Sequence, residues 1–219
     1  GSGLDGLLNR QGLVTALDGW HFLDAKKVWV LSGWAGMTRV AGTSERMIAL
    51  QRGSRHYLQR PDASHLGVDS SATSLTGFGG RLWLNKQDGN LISNSAIGLL
   101  SPGFDANDLG YQPRADVIYG HTGLQYRFAR PNRVWHDALT ALVTFQGFDF
   151  GGDHVDAGYW QGNTVTFAND WTLDTELMYV PPIVNVRRSR GGPRMAEHEG
   201  GYGTVTFSTA SRIMTACIS

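Results

Sequence analysis

Cysteine is almost absent from this chain. Cys217 stands alone among 219 residues, which excludes an internal disulfide and a cysteine-built metal cluster. Charge is scarce too, at 17% of residues against ~25% in ordinary soluble domains. It carries no net sign, because 19 Lys and Arg balance 19 Asp and Glu. Without a basic excess there is no phosphate-tracking surface, so nucleic acid is not an expected partner. No apolar run reaches the roughly eighteen residues that a transmembrane helix needs. The seven histidines form no zinc-type pair and no His-Glu-x-x-His helix, and no Gly-x-Ser-x-Gly elbow occurs. No catalytic residue, metal ligand or cofactor site is therefore assigned.

What is present is glycine, at 29 residues, with 7 Trp, 7 Tyr and 9 Phe. Low charge with abundant glycine and aromatics suits an all-β protein, especially one whose outer face does not meet water. The mean hydropathy of −0.23 is compatible with that, since a membrane barrel is apolar only at alternate strand positions.

Periodicity is the strongest signal. From Trp171 to Tyr179 the odd positions read Trp171, Leu173, Thr175, Leu177, Tyr179, with Thr172, Asp174, Glu176 and Met178 between them. Period two marks a strand with one apolar and one polar face. At ~3.3 Å per residue and a ~45° tilt, Trp171 and Tyr179 stand ~19 Å apart along a membrane normal, near the spacing of two aromatic girdles. The same alternation runs through Phe78–Leu84, Ile118–Phe128 and Leu139–Phe145, and around Val165/Phe167 and Val205/Phe207. Within it, Gly77-Phe78-Gly79-Gly80 reads as strand and not as a phosphate loop, because no helix follows.

Short polar breaks at 86–90, 130–132 and 168–170 have hairpin chemistry. Long irregular stretches lie at 59–70, 101–114 and 181–200. Tight turns alternating with long loops predict an antiparallel up-and-down meander of about ten strands. A soluble β-sandwich would alternate as well, but runs such as 118–128 exceed the usual strand length of about 5–6 residues.

Several stretches occur in a recognisable order: Arg55–Ala63, Thr73–Gly77, Ser101-Pro102-Gly103-Phe104-Asp105-Ala106-Asn107-Asp108-Leu109-Gly110, Arg114-Ala115-Asp116, Asn169-Asp170-Trp171 and Arg190-Gly191-Gly192-Pro193. Together they resemble the C-terminal barrel region, of unassigned function, in bacterial carbohydrate-binding family 9 domain-containing proteins. The likeness runs from about residue 25 to about residue 207. It implies an outer-membrane β-barrel of a Gram-negative-type cell that follows a carbohydrate-binding-like domain. Against that pattern, residues 1–219 are expected to be a single barrel-type domain and a fragment of a longer chain. The start Gly1-Ser2-Gly3 resembles no signal peptide, and the end, 211–219, lacks a terminal aromatic.

Three stretches invite chemistry. Asp105, Asn107 and Asp108 could offer oxygens to a hard cation, although a turn in which Asp and Asn bond their own backbone is the simpler reading. Asp149, Asp153, His154 and Asp156 could supply an acid/base pair or a metal site, or be a polar hairpin loop. Arg187, Arg188, Arg190 and Arg194 could bind an anionic solute or lipopolysaccharide phosphate at a rim, or be solvated surface.

The leading expectation is a structural or pore-forming outer-membrane barrel module, linked to glycan or solute handling at the cell surface. Its expected partners are outer-membrane lipid, a glycan or small solute, and another protein or a missing N-terminal domain. The alternatives are a soluble or surface-exposed β-rich binding or assembly protein, and a hydrolase centred on the Asp149–Asp156 loop.

Overall fold

The computed structural model describes residues 6–209 and 212–218. Gly1-Ser2-Gly3, and Ser211 and Ser219 of the C-terminal stretch, lie outside the described residues. One antiparallel sheet of ten strands dominates, in the order β1-β2-β3-β4-β5-β6-β7-β8-β11-β12. Its strands are β1 (Gln11–Phe22), β2 (Trp29–Ala41), β3 (Ser74–Lys86), β4 (Leu91–Leu100), β5 (Val117–Arg127), β6 (Trp135–Phe148), β7 (His154–Phe167), β8 (Thr172–Val180), β11 (Gly200–Thr209) and β12 (Arg212–Ile218). A small ribbon, β9 (Ile183–Asn185) with β10 (Met195–Glu197), interrupts the last long connection. The predicted all-β meander is the observed fold. Among the described residues β1 pairs only with β2, and β12 only with β11.

Because each strand reverses, successive connections fall on opposite rims. One rim carries the short turns 23–28, 87–90, 128–134 and 168–171. Local chemistry closes them. Asp24 accepts from the backbone N–H of Val28 and Trp29, and Gly89 takes φ 91°, a conformation that glycine adopts without strain. The other rim carries the long connections 42–73, 101–116 and 181–199, with the short loop 149–153 among them. Within 42–73 lies a helix that the periodicity reading does not predict, α1 (Ser44–Arg52). Thr43 caps it by accepting from Arg46 N at 3.2 Å. Met47 and Leu50 pack with Val40 of β2 into a small core. At nine residues the helix is too short to stand without that packing, so no sustained local pattern announces it.

Directly paired residues share a face of the sheet, so the register sorts every strand position. One row runs Leu17, Ala35, Gly80, Leu99, Ile118, Phe148. The next runs Gly19, Gly33, Leu82, Ile97, Gly120, Gln146. Another runs His21, Leu31, Leu84, Ser95, Thr122, Thr144, Tyr159, Tyr179. This face is open, with Leu17 81%, Ile97 61% and Leu177 58% exposed. The long loops cover the opposite face. Phe104 sits 6.4 Å from Trp34, and a Cβ on Gly77 would stand 2.0 Å from Phe104 N. Gly77 therefore serves as the bare surface on which the 101–116 loop lies. The accessible surface is 13301 Å², against about 9,900 Å² for a compact soluble chain of this mass.

Candidate functional site

The long loops converge on a buried ionic cluster over the covered face. Arg60 Nη2 donates to Asp116 Oδ2 and to Asp149 Oδ2, both at 3.0 Å. Arg60 comes from the 42–73 loop, Asp116 from the end of the 101–116 loop, and Asp149 from the β6–β7 loop, so one guanidinium ties three connections together. All three side chains are at most 6% exposed. His65 Nε2 meets both Asp116 oxygens at 3.1 Å, and Phe150 N donates to Asp116 Oδ1 at 3.1 Å. Asp149 Oδ1 accepts from Gly151 N and Asp153 N at 3.0 and 2.9 Å.

A second pair lies alongside. His56 places Nδ1 2.8 Å from Pro102 O and Nε2 3.1 Å from Asp105 Oδ2. Both ring nitrogens are engaged, so His56 ties the 42–73 loop to the 101–116 loop. Burial pushes the Asp105 carboxyl up, but the hydrogen bonds from His56 and Asn107 outweigh it and hold the group down at about 2. Thr38 of β2 anchors the pair to the sheet by accepting from Asp105 N at 2.9 Å.

His65, Asp116 and Asp149 bring one ligand atom each within 4.8 Å of one another, which on distance alone suits a divalent cation. Arg60 already bonds both carboxylates and supplies the neutralising charge. The donor set therefore fits a guanidinium-centred structural cluster better than a metal centre.

The sequence candidates separate in space. Asp105 Oδ1 accepts from Asn107 N and Nδ2, at 2.9 and 3.0 Å, while Asp108 takes Asn9 Nδ2. These oxygens form a turn and a tie to the chain start instead of a shared ligand shell. In the Asp149–Asp156 loop, Asp149 belongs to the Arg60 cluster, Asp153 bonds Arg194, His154 bonds Gln146 at 2.8 Å, and Asp156 is exposed. The four arginines diverge as well. Arg187 donates to Ser54 O and Pro113 O and lies 5.4 Å from the Tyr57 ring. Arg188 meets Glu197, and Arg194 meets Asp62 and Asp153. Arg190 occupies a tight turn at φ 55°.

The residue that joins three loops, Arg60, was not among the sequence candidates. Its partners lie 56 and 89 positions away, so no local spacing announces the cluster.

Beyond the loops, the covered face mixes polar and apolar side chains: the alternating set Leu139, Ala141, Val143 and Phe145 of β6 lies on it, opposite to the apolar sets of β5 and β8. Arg81 lies 4.6 Å from the Trp83 ring and 5.1 Å from that of Tyr119, and its Nη2 reaches His121 Nδ1 at 3.2 Å. On β8, Glu176 accepts from Trp160 Nε1 and from Tyr202 Oη, and Asp174 accepts from Thr164 Oγ1 at 2.7 Å. The open face exposes Leu17, Leu82, Ile97, Leu142 and Leu177 between two sets of aromatics. Trp29, Tyr126, Phe128, Trp171 and Phe207 lie toward the short-turn rim, and Phe78, Phe148, Tyr159 and Tyr179 toward the long-loop rim. Compared with known proteins, the chain matches no family model and no curated protein.

Proposed function

We propose that this chain is a membrane-embedded β-barrel module of a bacterial outer membrane, structural or pore-forming, which handles a glycan or small solute through its loop-covered face. The observation that carries the reading is the two-sidedness of the sheet. Followed pairing by pairing, one face exposes Leu17, Leu82, Ile97, Leu142 and Leu177 between two sets of aromatics, and the other holds Arg81, His121, Asp174 and Glu176. An exposed apolar area of this extent is a liability in water but the ordinary state of a surface against lipid. Two further features support it. Rows of paired residues drift from the short-turn rim at His21 to the long-loop rim at Tyr179, the stagger expected of tilted barrel strands. No helix of the described residues is long and apolar enough to cross a membrane, so any crossing falls to the strands. The likeness to the barrel region of carbohydrate-binding family 9 domain-containing proteins supplies the glycan element.

Fractionation tests this reading. The protein should be recovered with outer membranes, and its band on a denaturing gel should shift on boiling. A soluble, monodisperse product would overturn it in favour of a second reading, assembly of the open face against another protein. One observation favours that alternative: Thr140, Asn163 and Thr175 form a hydrogen-bonded polar ladder on the open face, at 2.8 and 2.9 Å, where uninterrupted lipid contact would favour apolar side chains.

A further inference from the structure

Beside the Arg60 cluster, between the 42–73, 101–116 and 181–199 loops, lies a small cavity lined by His56, Tyr57, Arg60, Arg114, Asp116 and Arg187. Its volume of about 10 Å³ is the room of a single water-sized occupant. Arg60 is 5% exposed and donates to its carboxylates only through Nη2. Its Nε is buried without an acceptor, and so is the Nε of Arg114. Asp116 has no oxygen to spare for them, since Phe150, His65 and Arg60 take both carboxylate oxygens and Arg114 Nη2 takes its carbonyl at 3.4 Å.

The charges are uneven. Three guanidinium groups, Arg60, Arg114 and Arg187, line the cavity, and Asp116 is the one carboxylate among its lining residues. A water molecule could accept from the two Nε–H groups but would bring no charge to the three guanidinium groups. A monatomic anion accepts from every side and donates nothing. The backbone around the cavity is held in a costly form: Tyr57 and Asp116, both lining residues, sit at φ 50° and 55°. Non-glycine residues persist there only where their surroundings impose it.

We propose that this cavity binds one small monovalent anion, chloride or a similar halide, which pins the three long loops together over the covered face. Arg60, Arg114 and Arg187 hold the ion, one from each loop. The proposal does not depend on whether the open face meets lipid.

The direct test is diffraction from crystals of the full chain grown in bromide, recorded at the bromine absorption edge. An anomalous peak is expected in the cavity. A second readout in solution is hydrogen exchange of the loop amides, compared in chloride and in gluconate at equal ionic strength. With chloride at about ten times its dissociation constant, exchange should be about tenfold slower, and Arg114→Gln should erase the difference. A cavity without an anomalous peak in bromide overturns the proposal whatever the variant does. So does loop exchange that is the same in both salts for the unaltered protein.

Discussion

Arg60 is the side chain on which the loop cluster depends most heavily. Two buried carboxylates, Asp116 and Asp149, rely on its one Nη2, and taking a cation away from buried partners leaves their charge uncompensated. Arg60→Met should therefore destabilise the folded protein by about 3–5 kcal/mol, read from the shift of its urea midpoint. If the loss were under about 1 kcal/mol, solvent would have to be reaching Asp149. Asp105 gives a pH signature instead. Its folded carboxyl is held at about 2, below its ordinary value of 3.8, so the folded state binds this proton less readily than the unfolded chain. The resulting stability is present above about pH 4 and is lost as pH falls through about 2. The depression corresponds to about 2 kcal/mol. Asp105→Asn should flatten the acid limb of a stability–pH curve, measured between pH 5 and 2, by about that amount.

At the scale of elements, the docking of the 101–116 loop on β3 is controlled by two missing side chains. A Cβ on Gly77 would meet Phe104 N at 2.0 Å, and one on Gly103 would meet Thr76 O at 2.3 Å. Backbone stands in the way on both sides, so a methyl group can be housed only by lifting the loop. Gly77→Ala should cost about 1–3 kcal/mol and speed proteolysis within 101–116, whereas Gly19→Ala, which has nothing within 4 Å, should leave cleavage unchanged. The reading of Gly77–Gly80 as strand matches β3, but the reason for the first glycine lies in a loop some 27 residues further along and is invisible to periodicity. Helix α1 was missed for a related reason. Its fold depends on burying Met47 and Leu50 against Val40, a tertiary contact and not a propensity.

For the whole molecule the two faces make opposite demands. Leu82 lies mid-strand on the open face and is 55% exposed, while its neighbour Trp83 points to the covered face beside Arg81. If the open face meets lipid, Leu82→Arg should cost about 2–4 kcal/mol in refolding into bilayers, and Trp83→Arg much less. Equal costs in the two variants would count against a lipid-facing surface.

The meander and the division into a short-turn and a long-loop rim were legible in the residues themselves. Period-two alternation in runs such as Trp171–Tyr179 and Ile118–Phe128 needs only neighbours along the chain to define an apolar side, but register decides which sides join: in β6 the apolar set Leu139, Ala141, Val143 and Phe145 pairs with the polar set of β5, Arg127, Gln125, Gly123 and His121, and so lies on the covered face. The Asp105–Asn107 turn was legible for the same local reason. What the tertiary structure alone decided was the chemistry over the covered face: that Arg60 meets Asp116 and Asp149, that His56 meets Asp105, and that four neighbouring arginines part company. These contacts join loops 49 to 89 residues apart. Loops have no period to read, so their partners are selected by which long connections the strand order carries to the same rim, and by the cost of leaving any buried charge unpaired.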